Sequence, residues 1–473
     1  MLSHMAAAAA QRIRGVAWCC AAVLGLLAVP QQDALAQDAS RAVCVVAAAT
    51  ETGSVNAMGD FPGGMLIGAE KGLFLARAAG GKVTVAPAGD AGTARVLSIH
   101  SLPGSAALIG AWNGVFVARE AGGTISVADV ITDTGPVFAM RELADGVLIG
   151  AAEGLFLARQ ANGKLTVARS GETDTGHVSY MFDFPGGGVL IAADKGLFFA
   201  RAEGDRAESG NVALAPVAMV APARPDGIMP LRSMRSVAGG GVLIEGYVWF
   251  LARDVDGKLT VALAGDANTG VVDAIGDLPG DALLIHTEDK GWFVGRAEGG
   301  RLVVAPAGQA DTGRVFQMKR VASAMLIWAR NGLFVGRVSD GKVTVAPAEA
   351  ETGQLFQMRD FAGGLLISAE RGLFFAREQD GKVTIAPAGT KTGPAHAEGI
   401  HHLPGGGTLI ATTWKRWFVA REAGGKVTLT PAGAADPGRI SLMRDFADGV
   451  LIGAERGVFV AGAATGARGC EGP

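Results

Sequence analysis

Of the 473 residues, 71 are glycine, 49% are hydrophobic and 18% are charged, and the formal net charge is −3. Glycine at about twice its usual share, with no Gly-X-Y period and no polar low-complexity tract, excludes collagen and argues against simple disorder. A nearly neutral chain has no general attraction for nucleic acid or anionic membrane, and such glycine in a hydrophobic chain predicts many short strands joined by tight turns.

Residues 1–36 read as a targeting segment. Arg12 and Arg14 form a basic start, GVAWCCAAVLGLLAVP is the apolar stretch, and Ala34-Leu35-Ala36 is a small-x-small cleavage site before Gln37. The apolar run is shorter than the ~20 residues a span needs, and no later segment reaches that length. The mature domain, 37–473, is therefore expected to be soluble and exported, periplasmic or secreted. Cys19 and Cys20 depart with the leader, leaving Cys44 and Cys470 at opposite ends of the mature chain. An even count in an oxidising compartment predicts one disulfide between them.

From Phe74 onward a phrase recurs ten times, marked by Phe74, Phe116, Phe156, Phe198, Phe250, Phe293, Phe334, Phe374, Phe418 and Phe459. The gaps are 42, 40, 42, 52, 43, 41, 40, 44 and 41 residues, a fixed period that signals a repeat architecture. Helical repeats need amphipathic stretches of ten or more residues, and none is present. Each unit divides into four β-like runs, which in the eighth are QLFQMRDF (354–361), LLISAE (365–370), GLFFARE (372–378) and KVTIAPAG (382–389). Asp380-Gly381 joins the last two, as Asn162-Gly163, Asp256-Gly257 and Gly424-Gly425 do elsewhere. Such dipeptides supply the positive φ of a two-residue hairpin turn. Four antiparallel strands per unit of this length make a β-propeller blade.

The units resemble the two-component-regulator propeller repeat, an extracytoplasmic sensor repeat of bacterial receptors with the form I-x-x-I-x-x-D-x-x-G-x-L-W-I-G-T-x-x-G-L. The matching stretch is MRDFADGVLIGAERGVFV at 443–460, and the resemblance covers about residues 41–463. It implies an all-β propeller and a ligand-sensing role. The family's Trp before Ile-Gly is Leu in most units here, and no kinase or membrane segment follows in this sequence.

The last unit stops after its third strand, GVFVAGAA (457–464), while the mature chain begins with AVCVVAAATETG (42–53), which aligns with a fourth strand. The N-terminal strand is thus expected to complete the C-terminal blade and remove both open sheet edges. One ring of ten four-stranded blades is the reading adopted. Two five-bladed rings are the alternative, since ten blades exceed the usual 4–8.

Chemistry is sparse. The loop leaving several fourth strands carries D/E-T-G, as at Asp133, Asp174, Asp311 and Glu351, but Asn268 and Lys391 fill the acidic place in sister copies. A turn with Thr as cap and Gly at positive φ accounts for it, and no aspartic-protease chemistry is read there. Arginine closes the third strand in nine units and reads as a solvated ring of scaffold charge. The first strands should line the channel, and there Arg235, Lys319 and Arg320 lack an acidic sequence neighbour, forming a candidate cationic patch for an anionic ligand. His401-His402 with His396 lacks cysteine or carboxylate at ligand spacing, and adjacent strand residues diverge, so no metal and no cofactor are expected. Trp112, Tyr247 and Trp414 stand on turns between second and third strands, where apolar area faces solvent. With the insertion at 219–230 they are a candidate partner-binding face. Trp249, Trp292 and Trp417 occupy the usual Leu place and read as core.

The sequence thus reads as an exported, non-catalytic, monomeric propeller binding a protein partner or a small, anionic ligand. A propeller lyase or hydrolase is one alternative, and would need clustered His, Tyr or carboxylates. A structural or cell-surface interaction protein is the other.

Overall fold

The computed structural model describes residues 43–463 except for short stretches, the longest being 203–211, 218–232, 264–271 and 389–396. Its forty strands form ten four-stranded antiparallel sheets, and the described residues contain no helix. In blade 8 the strands are Leu355–Phe361, Gly364–Ala369, Gly372–Gln379 and Lys382–Pro387, close to the runs read from sequence. The second strand is buried along its whole length because neighbouring blades cover both of its faces, which is why it reads as an unbroken apolar run. The fourth alternates between half-buried and exposed residues, as the outermost strand of a blade should. Asp380 and Gly381 take φ of 51° and 72°, the conformation expected of that hairpin turn.

A single ring follows from how the blades pack. Leu243, Trp249 and Leu251 of blade 5 share an apolar cluster with Val272, Leu283, Ile285 and Phe293 of blade 6. Leu451 and Val458 of blade 10 share another with Val55, Met58, Met65 and Ile67 of blade 1. Two five-bladed rings would instead pair blade 5 with blade 1. The seam closes as expected, Val43–Ala49 lying antiparallel to Gly457–Ala463 with Val45 opposite Ala461. The Val45 N–H also donates to the Ala432 carbonyl of blade 9 at 2.9 Å. Cys44 sits opposite Gly462, while Cys470 lies outside the described residues.

Close approach of blades explains the glycine in Leu-Ile-Gly. A Cβ at Gly68 would lie 2.4 Å from Val96 Cγ1 of the next blade, and one at Gly150 would lie 2.7 Å from Val178 Cγ1. The Thr-Gly turns are scaffold too. Thr134, Thr175, Thr312 and Thr352 are buried. Each hydroxyl donates to the carbonyl of the following glycine at 2.9–3.1 Å, and those glycines take φ of 61–71°. Each threonine carbonyl accepts an N–H from the turn between second and third strands, as from Glu153 and Arg371.

The arginines that close the third strands are solvated only in part: Arg77 and Arg296 are exposed, and several reach the next blade. Arg337 reaches Glu378 of the next blade at 2.9 Å, Arg201 pairs with Asp254, and Arg77 donates to the Gly123 carbonyl at 3.2 Å. Arg253 is buried. These side chains clamp neighbouring blades because the next blade's hairpin lies directly over them.

Candidate ligand site at the channel mouth

The first strand of every blade faces the channel, and in nine of ten a β-bulge falls at its second residue. The bulge re-aims side chains near the end of the channel next to the Thr-Gly turns. The fifth and sixth residues lie toward the opposite mouth, where they form a repeated contact. At three junctions a basic side chain at the fifth place of one blade meets a carboxylate at the sixth place of the next. Arg141 lies 3.7 Å from Asp183, Lys319 2.7 Å from Asp360, and His401 2.9 Å from Asp445. Burial holds the His100 imidazole below its ordinary pKa, with Glu142 of the next blade opposing and Arg141 adding to that effect.

At this mouth a cleft of about 740 Å³ spans blades 6 to 9. Lys319, Arg320, Asp277, Asp360 and His402 line its polar side, and Ile275, Met318, Met325 and Phe361 its apolar side. Ala322 and Ala362, at φ of 50° and 44°, form part of the rim. The same conformation at Ala447, the corresponding place in blade 10, marks it as the geometry of this hairpin turn. His402 Nδ1 lies 3.0 Å from Thr408 Oγ1, and the residue lines the cleft. The two adjacent imidazoles engage different partners. Among the described residues no three His, Cys, Asp or Glu side chains converge as a metal site, and His396 lies outside them.

The structure brings Lys319 and Arg320 together in this cleft and gives Lys319 the acidic partner, Asp360, that its sequence neighbours do not provide. Arg235 lies in the first strand of blade 5, and its side chain is outside the described residues. Trp112 is 53% exposed on the opposite face, consistent with its turn. Tyr247, Trp414 and the 219–230 insertion lie outside the described residues. Trp249, Trp292 and Trp417 are buried, as core residues should be.

Three features escaped the sequence. Gly276, Met318 and Met325 build the cleft floor, and only the cross-blade alternation of fifth and sixth residues would have marked them. A second cleft, about 450 Å³, opens on the channel at blades 1 to 4 and 10, with Phe138, Tyr180, Arg141 and Arg444 on its wall. Phe138, Tyr180 and Phe316 are exposed, and all stand at or beside the bulges.

The third feature is a buried polar chain between blades 6 and 7. His286 Nδ1 lies 2.6 Å from Asp273 Oδ1, and His286 Nε2 lies 3.4 Å from the Thr312 hydroxyl. Asp273 Oδ2 accepts the Val315 N–H at 3.1 Å, and the His286 ring packs 4.5 Å from that of Trp292. An Asp-His-Thr line resembles a nucleophile relay, but the His286 and Thr312 side chains are buried, where no substrate can reach them.

No protein-family model matches the chain, and no curated protein matches it in sequence. Among solved structures, the chain is similar to an extracellular domain assigned to a one-component system of B. thetaiotaomicron. That match is 13% identical with a TM-score of 0.34, covering 87% of this chain and 57% of the other. An extracellular domain assigned to a hybrid two-component system of B. thetaiotaomicron is 12% identical with a TM-score of 0.31, covering 87% and 64%. The computationally designed Ika8 protein is 13% identical with a TM-score of 0.37, covering 74% and 100%. The chain therefore spans less than two thirds of the length of both B. thetaiotaomicron domains. At such identities and scores these likenesses assign neither ligand nor activity. Among the described residues no helix is long and apolar enough to cross a membrane.

Proposed function

We propose that this protein is an exported, monomeric, non-catalytic propeller that captures a small ligand in the cleft at its channel mouth. The cleft itself carries the reading: about 740 Å³, within the range of ligand pockets, with a few convergent polar groups set against apolar walls. Its described lining holds no Ser, Thr, Cys or Tyr beside a base, which favours binding over a lyase or hydrolase. Native mass spectrometry of protein purified from its own compartment tests this. A retained small molecule, lost on mild denaturation, is the expected result. A bare chain mass, with no small molecule in a broad panel raising the melting temperature, would refute it. Export also predicts that Cys44 and Cys470 are oxidised to one disulfide, visible as a single cross-linked peptide in non-reducing mapping.

Trp112 supports a second reading, a protein partner on the opposite face, because a tryptophan 53% exposed on a turn is the kind of anchor interfaces use. Trp112→Ala should then weaken capture of that partner without changing thermal stability.

A further inference from the structure

Contacts between a basic side chain and a carboxylate recur at three junctions around the channel mouth, and at the junction of blades 6 and 7 the pattern is reversed. Arg141–Asp183, Lys319–Asp360 and His401–Asp445 each join the fifth residue of one blade to the sixth of the next. Between blades 6 and 7 the corresponding residues are Gly276 and Arg320. The cation is missing from the fifth place, and a cation stands where the carboxylate belongs. Arg320 is exposed to the cleft and has no ion-pair partner among the described residues. Lys319, beside it, is already neutralised by Asp360.

Gly276 does a second thing. A Cβ there would lie 2.9 Å from Met325 Cε and 3.2 Å from Met318 Cβ, so the absent side chain is what lets both methionines form the floor. One position thus removes a charge from the ring and admits an apolar surface beneath the Arg320 guanidinium.

Resting on the ligand-capture reading above, we infer that the cleft takes an organic monoanion: a carboxylate on an apolar body, held head-first by Arg320. A guanidinium presents a planar fork that matches a carboxylate with two parallel hydrogen bonds. The His402 imidazole is the second polar group in the lining for the head, and Met318, Met325 and Ile275 receive the apolar body. The charge balance of the lining favours a monoanion over a phosphate dianion. Lys319 and Arg320 are matched there by the Asp277 and Asp360 carboxylates, so each further negative charge on a ligand meets more repulsion.

The test uses the whole mature chain, with the fluorescent monoanion 1-anilinonaphthalene-8-sulfonate as probe. Competitors are 4-phenylbutyrate and its neutral amide, which share a body and differ in the head. The acid should displace the dye at a concentration about tenfold lower than the amide, since a charge-assisted hydrogen bond is worth at least that ratio. Arg320→Gln should abolish the difference, whereas Arg371→Gln, at an exposed pair with Glu351 on the opposite face, should preserve it. Circular dichroism confirms that each variant is folded. Equal displacement by acid and amide, or a preference that survives Arg320→Gln, overturns the carboxylate assignment while leaving ligand capture standing. If neither compound competes and Arg320→Gln leaves dye binding unchanged, the cleft is not a ligand site and both readings fall.

Discussion

The junction between blades 6 and 7 and the next one, between blades 7 and 8, are made from corresponding strands and solve the same packing problem in opposite ways. At the 7–8 junction two ion pairs span the upper face, Lys319–Asp360 and Arg337–Glu378, and the lower channel wall holds the ring pair Phe316–Trp328, 5.2 Å apart. At the 6–7 junction the upper places hold Gly276 with Arg320 and Arg296 with Val338, and the cleft that runs on over blades 8 and 9 begins there. Its polar contacts lie instead in the buried Asp273–His286–Thr312 chain. His286 and Trp328 occupy the same place in their second strands, where Gly68 stands in blade 1. Specialisation in this ring is therefore written into the few side chains between blades, while the blades themselves stay uniform.

The strongest way to break this contrast is at His286. His286→Ala leaves the partly buried Asp273 carboxylate without one of its hydrogen-bond partners, and should lower stability by about 3 kcal/mol in a urea titration. A double replacement of Asp273 and His286 by Leu removes the charge together with its partner and should recover much of that loss. A single variant as stable as the parent would show that the chain does not hold the junction.

Gly68→Ala examines the ordinary junction at the same strand position. The new Cβ would meet Val96 Cγ1 at 2.4 Å, so blades 1 and 2 must shift, at a cost of about 1–3 kcal/mol. An unchanged denaturation midpoint would mean that glycine is not required for close approach. The smallest effect is expected at the 7–8 clamp. Burial raises the Glu378 pKa, but hydrogen bonds from Arg337 and Ser323 outweigh it and hold the carboxyl below its ordinary value. A folded-state pKa below the unfolded one gives stability that is complete above the ordinary glutamate value and is lost as pH falls through the folded value. Glu378→Gln should therefore show a shallower fall in denaturation midpoint as the pH drops below about 4.3. Matching slopes for parent and variant would remove the clamp from the account.

The period of the phenylalanines, the four runs per unit and the unfinished last unit determined the blade, the blade number and the seam by themselves, because these depend on local alternation, turn chemistry and the count of strands. The buried tryptophans at the Leu place were legible for the same reason. The channel mouth was not. Lys319 looked unpaired because its carboxylate, Asp360, lies 41 residues away on the next blade. The third-strand arginines looked solvated because the hairpins that cover them belong to the following repeat. Gly276 looked like any other glycine among the 71 until Met318 and Met325 were seen beneath it. Sequence neighbours decide what each blade is. Which charges cancel, and which cavity stays open, is decided between residues one full repeat apart, and only closure of the ring brings those together.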